Sequence, residues 1–207
     1  MMREAPRLGD LDVSRETLER LELLVSLVRK WSPRINLVSE RSLDVIWTRH
    51  VLDSAQIYAI APKPFRTWLD LGSGAGFPGL VIAMIAAEKE PGARIALVES
   101  DRRKAAFLRA AARETSLTVE VHAERVEQLS PQRADIVSAR ALAGLETLIG
   151  FADRHLRPGG VAIFPKGVRR MEEIAHARQT WNFTLQSCKS ITDAEAAILK
   201  VGEISRV

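Results

Sequence analysis

Apolar residues recur every three or four positions from Leu18 to Trp31. Leu18, Leu21, Val25 and Val28 make one stripe, which Leu24, Leu27 and Trp31 widen. The spacing predicts a helix capped by Asp12 or Ser14 and stopped by Ser32 and Pro33. A short link over Ile35 to Ser39 leads to a second helical stretch from near Ser42 to about Ile60, its buried side formed by Val45, Ile46, Val51, Leu52 and Ala55. Pro62 and Pro64 mark a boundary. Residues 1–64 therefore read as an N-terminal helical extension, and 65–207 as the domain that it caps.

Beyond Phe65 the texture changes to short apolar runs alternating with amphipathic stretches. Strands are expected at Thr67 to Leu71, Arg94 to Glu99, Thr118 to Ala123, Asp135 to Ala139, Gly160 to Pro165, Phe183 to Cys188 and, as the least marked, Ala197 to Val201. Helices fit at Pro78 to Glu88, Arg102 to Glu114, Gly144 to Leu156 and Gly167 to Trp181. Such alternation predicts an α/β fold with a mostly parallel sheet and helices on both faces. Right-handed crossovers place the strand ends, and with them a ligand crevice, along one edge.

Composition narrows the class. With 207 residues, 46% hydrophobic and 27% charged, the chain suits one packed domain with an extension and argues against disorder. The longest strongly apolar run, Leu80 to Ala87, is too short to span a bilayer, and residues 1–12 lack the apolar stretch of a secretory signal, so a cytoplasmic protein without membrane contact is expected. Cys188 is the only cysteine, which excludes an internal disulfide and a thiolate-rich zinc site and reads as a buried small hydrophobe; no metal site is expected. The formal charge of +4 is modest, but Arg102, Arg103, Lys104, Arg109 and Arg113 follow closely, and Arg157, Lys166, Arg169 and Arg170 form a second basic region. Each is either a solvated face or a phosphate-binding surface.

The strongest local signal is Leu69-Asp70-Leu71-Gly72-Ser73-Gly74-Ala75-Gly76-Phe77-Pro78-Gly79, which leaves a strand and opens a helix. Gly72, Gly74 and Gly76 allow a tight turn and a close backbone approach to a ligand. Two cofactors compete for this loop. Gly74, Gly76 and Gly79 satisfy the dinucleotide pattern, and Glu99 lies 20 residues beyond Gly79. The Gly72-x-Gly74-x-Gly76 series preceded by Asp70 instead looks like the first motif of class I S-adenosylmethionine-dependent methyltransferases. Glu99 suits either, because a carboxylate accepts hydrogen bonds from two ribose hydroxyls; otherwise it caps the helix near Asp101 or pairs with a neighbouring cation.

Further along, the Arg125-Val126-Glu127 turn offers a backbone N–H and a carboxylate, Glu124 or Glu127, to an adenine edge. Ser138-Ala139-Arg140-Ala141 ends a strand with an arginine among small residues, free to meet a planar ligand or phosphate, or to pair with Asp70, Glu99 or Glu127.

Together the glycine loop, Val98-Glu99-Ser100, Arg103-Lys104, Phe107-Leu108, Arg125-Val126-Glu127, Ala139-Arg140-Ala141 and Lys166-Gly167 resemble the small-subunit ribosomal RNA methyltransferase G family, long called glucose-inhibited division protein B. Trp31, Ile35-Asn36-Leu37 and His50-x-x-Asp53-Ser54 are similar to its N-terminal signature, so the resemblance runs from about Leu18 to Gly167. Val201 to Val207 lacks the closing basic pattern expected of the family. The resemblance implies a monomeric class I (Rossmann-like) fold and methyl transfer from S-adenosyl-L-methionine to N7 of a guanine in the 530 loop of 16S ribosomal RNA, on free RNA or the 30S subunit. It also implies cofactor contacts at Gly72, Phe77, Val126, Glu127 and Arg140, to which the physical argument adds Gly74, Gly76 and Glu99. Asn36, His50, Asp53, Arg140 and Lys166 would line the mouth where RNA enters, with Arg102, Arg103, Lys104, Arg169 and Arg170 holding phosphates.

The residues present suit that chemistry. N7 exposes a lone pair and loses no proton, so positioning replaces a general base. Neither Asn-Pro-Pro-Tyr nor Asp-Pro-Pro-Tyr occurs, as expected if no exocyclic amine is gripped. Among alternatives, a small-molecule or protein acceptor predicts a closed, mostly neutral mouth, whereas an RNA acceptor predicts that both basic regions converge on the crevice. A nicotinamide-dependent oxidoreductase is disfavoured because the sole tyrosine, Tyr58, lies in the helical extension with no Tyr-x-x-x-Lys pair.

Overall fold

The computed structural model describes residues 8–207; the first seven residues of the expected extension lie outside the described residues. Seven strands, β1 (Thr67–Leu71), β2 (Arg94–Val98), β3 (Glu120–His122), β4 (Ala134–Ala139), β5 (Leu156–Lys166), β6 (Trp181–Lys189) and β7 (Ala197–Arg206), form one sheet in the order β3-β2-β1-β4-β5-β7-β6. The first five run parallel, and β7 pairs antiparallel with both β5 and β6. The strand order reverses between β1 and β4, so the crevice of this α/β sheet opens beyond their C-terminal ends. Leu71 pairs with both Val98 and Ala139. Gly72, Glu99 and Arg140, each the next residue, therefore leave the sheet at one level.

Alternation along the strands sorts the core into two faces. Trp68, Leu97, Ile136, Ile163 and Ile198 point to a layer holding α1 (Arg15–Ile35), α3 (Asp53–Ile60), α4 (Gly79–Lys89) and α5 (Arg102–Glu114). Leu69, Leu71, Val98, Val137, Ala139, Phe164 and Leu199 point to the other, against α6 (Leu145–His155) and α7 (Arg170–Ala177). Gly79 to Ala86 are all buried, which explains why α4 is apolar on every side: it lies between the sheet and α1 and α3.

Some boundaries differ from expectation. Ser14 caps α1 through a hydrogen bond from the N–H of Thr17, but the helix passes through Ser32 and Pro33 to Ile35. Pro33 removes only a bond to the carbonyl of exposed Arg29, and Asn36, in the left-handed region at φ 50°, ends the helix with its N–H on the Ser32 carbonyl. The expected second helix is broken into α2 (Glu40–Asp44), a π-helical turn over Trp47–Leu52, and α3. Ile46, Val51 and Ala55 are buried as predicted, while Val45 is 49% exposed. β6 begins at Trp181 because Trp181 and Phe183 bury in the second face of the core, which shortens α7. Pro78 precedes α4 as its cap residue, and Cys188 is half-buried on the edge strand β6, less covered than expected. Among the described residues, no helix is long and apolar enough to cross a membrane.

Candidate active site

The glycine loop is shaped from beneath by a buried polar chain. The Trp68 indole N–H donates to Ser138 Oγ at 2.8 Å, Ser138 donates to Asp70 Oδ1 at 2.7 Å, and Asp70 Oδ2 accepts the N–H of Gly79 at 3.2 Å. Asp70 is fully buried, and burial pushes its carboxyl up to about 6 against the pull of these hydrogen bonds. Above it, Gly72, Gly74 and Gly76 take φ of 67°, 53° and 88°, values that side chains resist. From the outer side Glu99 holds the same loop: Oε2 accepts the N–H of Gly74 at 2.9 Å and Oε1 that of Asp101 at 2.8 Å. Glu99 thus reaches the start of α5, as its capping alternative foresaw, and it braces the glycine loop as well. Each oxygen keeps a lone pair for a further donor.

Across the switch point, Arg140 is bound by three groups of the π-helical turn and α3. Its Nη1 donates to the Arg49 carbonyl at 3.1 Å and to Asp53 Oδ2 at 3.3 Å, and Nη2 lies 2.6 Å from His50 Nδ1. The expected partners Asp70, Glu99 and Glu127 give way to Asp53, because the π-helical turn carries His50 and Asp53 over the end of β4. His50 stacks on Phe77 with ring centroids 4.9 Å apart, and the guanidinium sits 5.7 Å above the same ring. Phe77 is thereby both packed under the helices and part of the site wall.

An arginine can only donate, so His50 Nδ1 accepts and its proton resides on Nε2. Burial, then Arg140, then Arg49 hold the imidazole neutral, its pKa lowered to about 3. The unfolded chain takes up a proton near pH 6.5 that the native site refuses, so stability falls as pH drops from about 6.5 toward 3, by about 1.4 kcal/mol per unit. His50→Gln keeps an acceptor for Arg140 and does not titrate. Thermal scans at successive pH values are expected to show wild type losing stability below pH 6.5 relative to this variant; parallel curves would disprove a neutral His50.

These groups line a cavity of about 1130 Å³, whose wall includes Gly72, Gly74, Phe77, His50, Asp53, Arg140, Leu142, Lys166 and Arg169. The sequence matches the family model described as rRNA small subunit methyltransferase G over residues 17–200. A ribosomal RNA small subunit methyltransferase G of Ruegeria pomeroyi is 52% identical over 202 residues, 98% of each chain. Its counterpart in Rhodospirillum centenum is 49% identical, over 93% of this chain and 87% of that one. The chain belongs to this family. As a member of the methyltransferase G family it is an S-adenosylmethionine-dependent methyltransferase, and solved folds agree. A methyltransferase from Geobacter sulfurreducens superposes with a TM-score of 0.60 at 14% identity, covering 94% of this chain and 91% of that one. TYW2 of M. jannaschii, solved in complex with AdoMet, gives 0.55 at 12% identity over 76% of both.

Not every residue expected at the methyltransferase site reaches the cavity. Gly76, Glu99, Val126 and Glu127 stand outside its wall: Glu99 is turned to the Gly74 and Asp101 N–H groups, Val126 is buried and Glu127 is exposed on the turn after β3. That turn is anchored from behind, with the His155 ring Nε2 3.2 Å from the Val126 carbonyl and Arg154 donating to that of Leu129 at 3.0 Å. Asn36 is exposed and serves as the cap of α1 instead of lining the mouth. Lys166 does line it, but donates to Glu173 at 2.7 Å and to the Ala143 carbonyl at 2.9 Å, so its charge is paired. Arg170 donates to the Glu195 carbonyl at 2.7 Å.

The two basic regions do not converge. Arg102, Arg103 and Lys104 open α5, off the cavity wall, and Arg157 pairs with Asp135 near the start of β4, at the opposite sheet edge. The wall itself balances Arg49, Arg140, Lys166 and Arg169 against Asp53, Glu172, Glu173 and Asp193. Sequence reasoning missed Arg49, Gln56, Glu173 and Thr192. Their partners lie up to 139 residues away in sequence, and no local pattern marks them.

Proposed function

We propose that this protein methylates N7 of a guanine in the 530 loop of 16S ribosomal RNA, leaving S-adenosyl-L-homocysteine, and that it works as a cytoplasmic monomer on free RNA or the 30S subunit. What carries the RNA assignment is the family relation along nearly the whole chain, since the charges of the cavity wall balance. Support from the geometry comes from size and openness. Ligand pockets commonly hold about 300–1000 Å³, so about 1130 Å³ accommodates a cofactor with a nucleotide beside it. N7 is out of reach in the narrow major groove of an A-form helix, and a base turned out of its stack needs that space.

The residues fit the cofactor. Gly74 lines the cavity, and a Cβ there would find only the Gly72 carbonyl, at 3.8 Å, so the loop presents bare backbone to a ligand. We assign the loop at Gly72, Gly74, Gly76 and Phe77 to the methionine portion, Glu99 to the ribose, and Val126 with Glu127 to the adenine. When bound, S-adenosyl-L-methionine supplies an electrophilic methyl on a sulfonium. Arg140, oriented by Asp53 and His50, serves as the catalytic residue that holds guanine O6 or a flanking phosphate and aligns N7; as N7 becomes cationic, the guanidinium stays off it. His50 and Asp53 complete the mouth, and Arg102, Arg103, Lys104, Lys166, Arg169 and Arg170 would meet phosphates, Lys166 and Arg170 after exchanging their present partners. Residues 1–64 act as an extension that delivers His50 and Asp53 to the domain at 65–207.

The test is radiolabelled methyl transfer to 16S RNA or 30S subunits from cells lacking this protein, followed by mapping. Label is expected as 7-methylguanine in the 530 loop. Label elsewhere, or none despite demonstrated cofactor binding, would remove this substrate.

A further inference from the structure

Behind Asp53, away from the cavity, Gln56 is buried at 7% exposure although it is polar. Its side-chain nitrogen lies 2.8 Å from Asp53 Oδ1, 3.1 Å from Ser190 Oγ and 3.2 Å from Thr192 Oγ1, and its oxygen accepts the N–H of Ile191 at 2.9 Å. Thr192 in turn donates to Asp53 Oδ1 at 2.9 Å. One carboxylate is thus gripped on Oδ1 by Gln56 and the loop joining β6 to β7, and offers Oδ2 to Arg140. The same loop is tied at its far end by Arg170 to Glu195, and Thr192, Asp193 and Ala196 line the cavity. It thus contacts both the helical extension, at Gln56, and α7, at Arg170.

We propose that Gln56 and Thr192 are positioning residues for methyl transfer, acting through Asp53 on Arg140. The inference rests on the assignment of Arg140 to the reaction. The Arg140 to Asp53 contact of 3.3 Å is longer than a strong charged hydrogen bond, so it depends on how the carboxylate is turned. Two donors on Oδ1 fix that rotation; without them the carboxylate turns and the guanidinium fork is no longer held against His50. The cavity-lining loop thereby sets the geometry of a cavity side chain that it reaches only through Asp53.

The test compares Thr192→Val, which removes the hydroxyl at equal shape, with Thr192→Ser, which restores it, alongside Gln56→Leu and Arg140→Lys, in the full chain at saturating S-adenosyl-L-methionine and RNA. Thr192→Val and Gln56→Leu are expected to lower kcat about tenfold with calorimetric cofactor affinity within about twofold, and Thr192→Ser to recover most of the rate. Thr192→Val added to Arg140→Lys is expected to lower the single-turnover rate no further than about twofold, because both act on one network. Wild-type kcat in Thr192→Val, or a double variant slowed by the product of the two single effects, would overturn the inference. Arg140→Lys turning over at the wild-type rate would instead remove the assignment on which it rests.

Discussion

Arg140→Lys is expected to lower kcat for methyl transfer by about 10²- to 10³-fold, equivalent to roughly 3–4 kcal/mol in the barrier. The guanidinium meets Asp53, the Arg49 carbonyl and His50 at once through a rigid fork, with only 18% of the side chain exposed. A lysine ammonium is a point charge on a flexible stem and cannot reach all three in that geometry. Asp53 would lose one anchor, and His50 Nδ1 would lose its donor next to an Nε2 already buried without a partner. The charge is retained, so a large loss isolates direction and shape from electrostatic attraction. Single-turnover rates with saturating cofactor and RNA are the measurement. A rate within about threefold of wild type would mean that positive charge suffices, and would return Arg140 to the role of a structural ion pair.

How much of this was legible differs between the loop and its opposite wall. Gly72, Gly74, Gly76 and Glu99 are readable because a strand, a glycine turn and an acid after the next strand are consecutive in sequence, and parallel register then puts Leu71 beside Val98 and Ala139. Both faces of the sheet follow from the alternation of residues such as Trp68 and Leu69. The π-helical turn was not legible: Val45 to Ala55 carries an apolar pattern that suits an unbroken helix, and one widened turn, favoured by where His50 and Asp53 pack, escapes any periodicity. Pairings such as Lys166 with Glu173 and Gln56 with Ser190 arise from tertiary placement, since the local sequence around a polar residue carries no sign of its partner. The placement of Arg157 was not legible either, because sequence proximity to a strand end does not say which way an arginine points; Arg157 turned to Asp135, whose carboxyl is lowered to about 2 by hydrogen bonds that outweigh its burial.

The second large effect concerns a position without side-chain chemistry. A Cβ built on Gly79 would stand 2.3 Å from Leu97 Cδ2 and 2.7 Å from Asp70 Oδ2. Neither neighbour can yield freely: Leu97 is fully buried on β2, and Asp70 is tied through Ser138 to Trp68. Gly79→Ala must therefore push the start of α4 outward, breaking the Gly79 N–H bond to Asp70 and carrying the glycine loop with it. Overpacking and the lost bond to a buried carboxylate together are expected to destabilise the fold by about 3 kcal/mol, a fall in Tm of roughly 6–12 °C for a chain of this size. Cofactor affinity should weaken at least about tenfold, since close backbone approach is what the loop provides. Gly150→Ala makes the contrast: it lies inside α6, where an added Cβ meets only Trp181 at 3.4 Å, and alanine favours the helix by up to about 1 kcal/mol. Thermal scans and calorimetric titration with S-adenosyl-L-methionine on both variants decide the matter. If Gly79→Ala melts and binds like Gly150→Ala, the buried chain from Trp68 to Gly79 does not shape the loop; if only Gly79→Ala fails, the close seating of Gly79 on Leu97 and Asp70 is what holds the glycines in place.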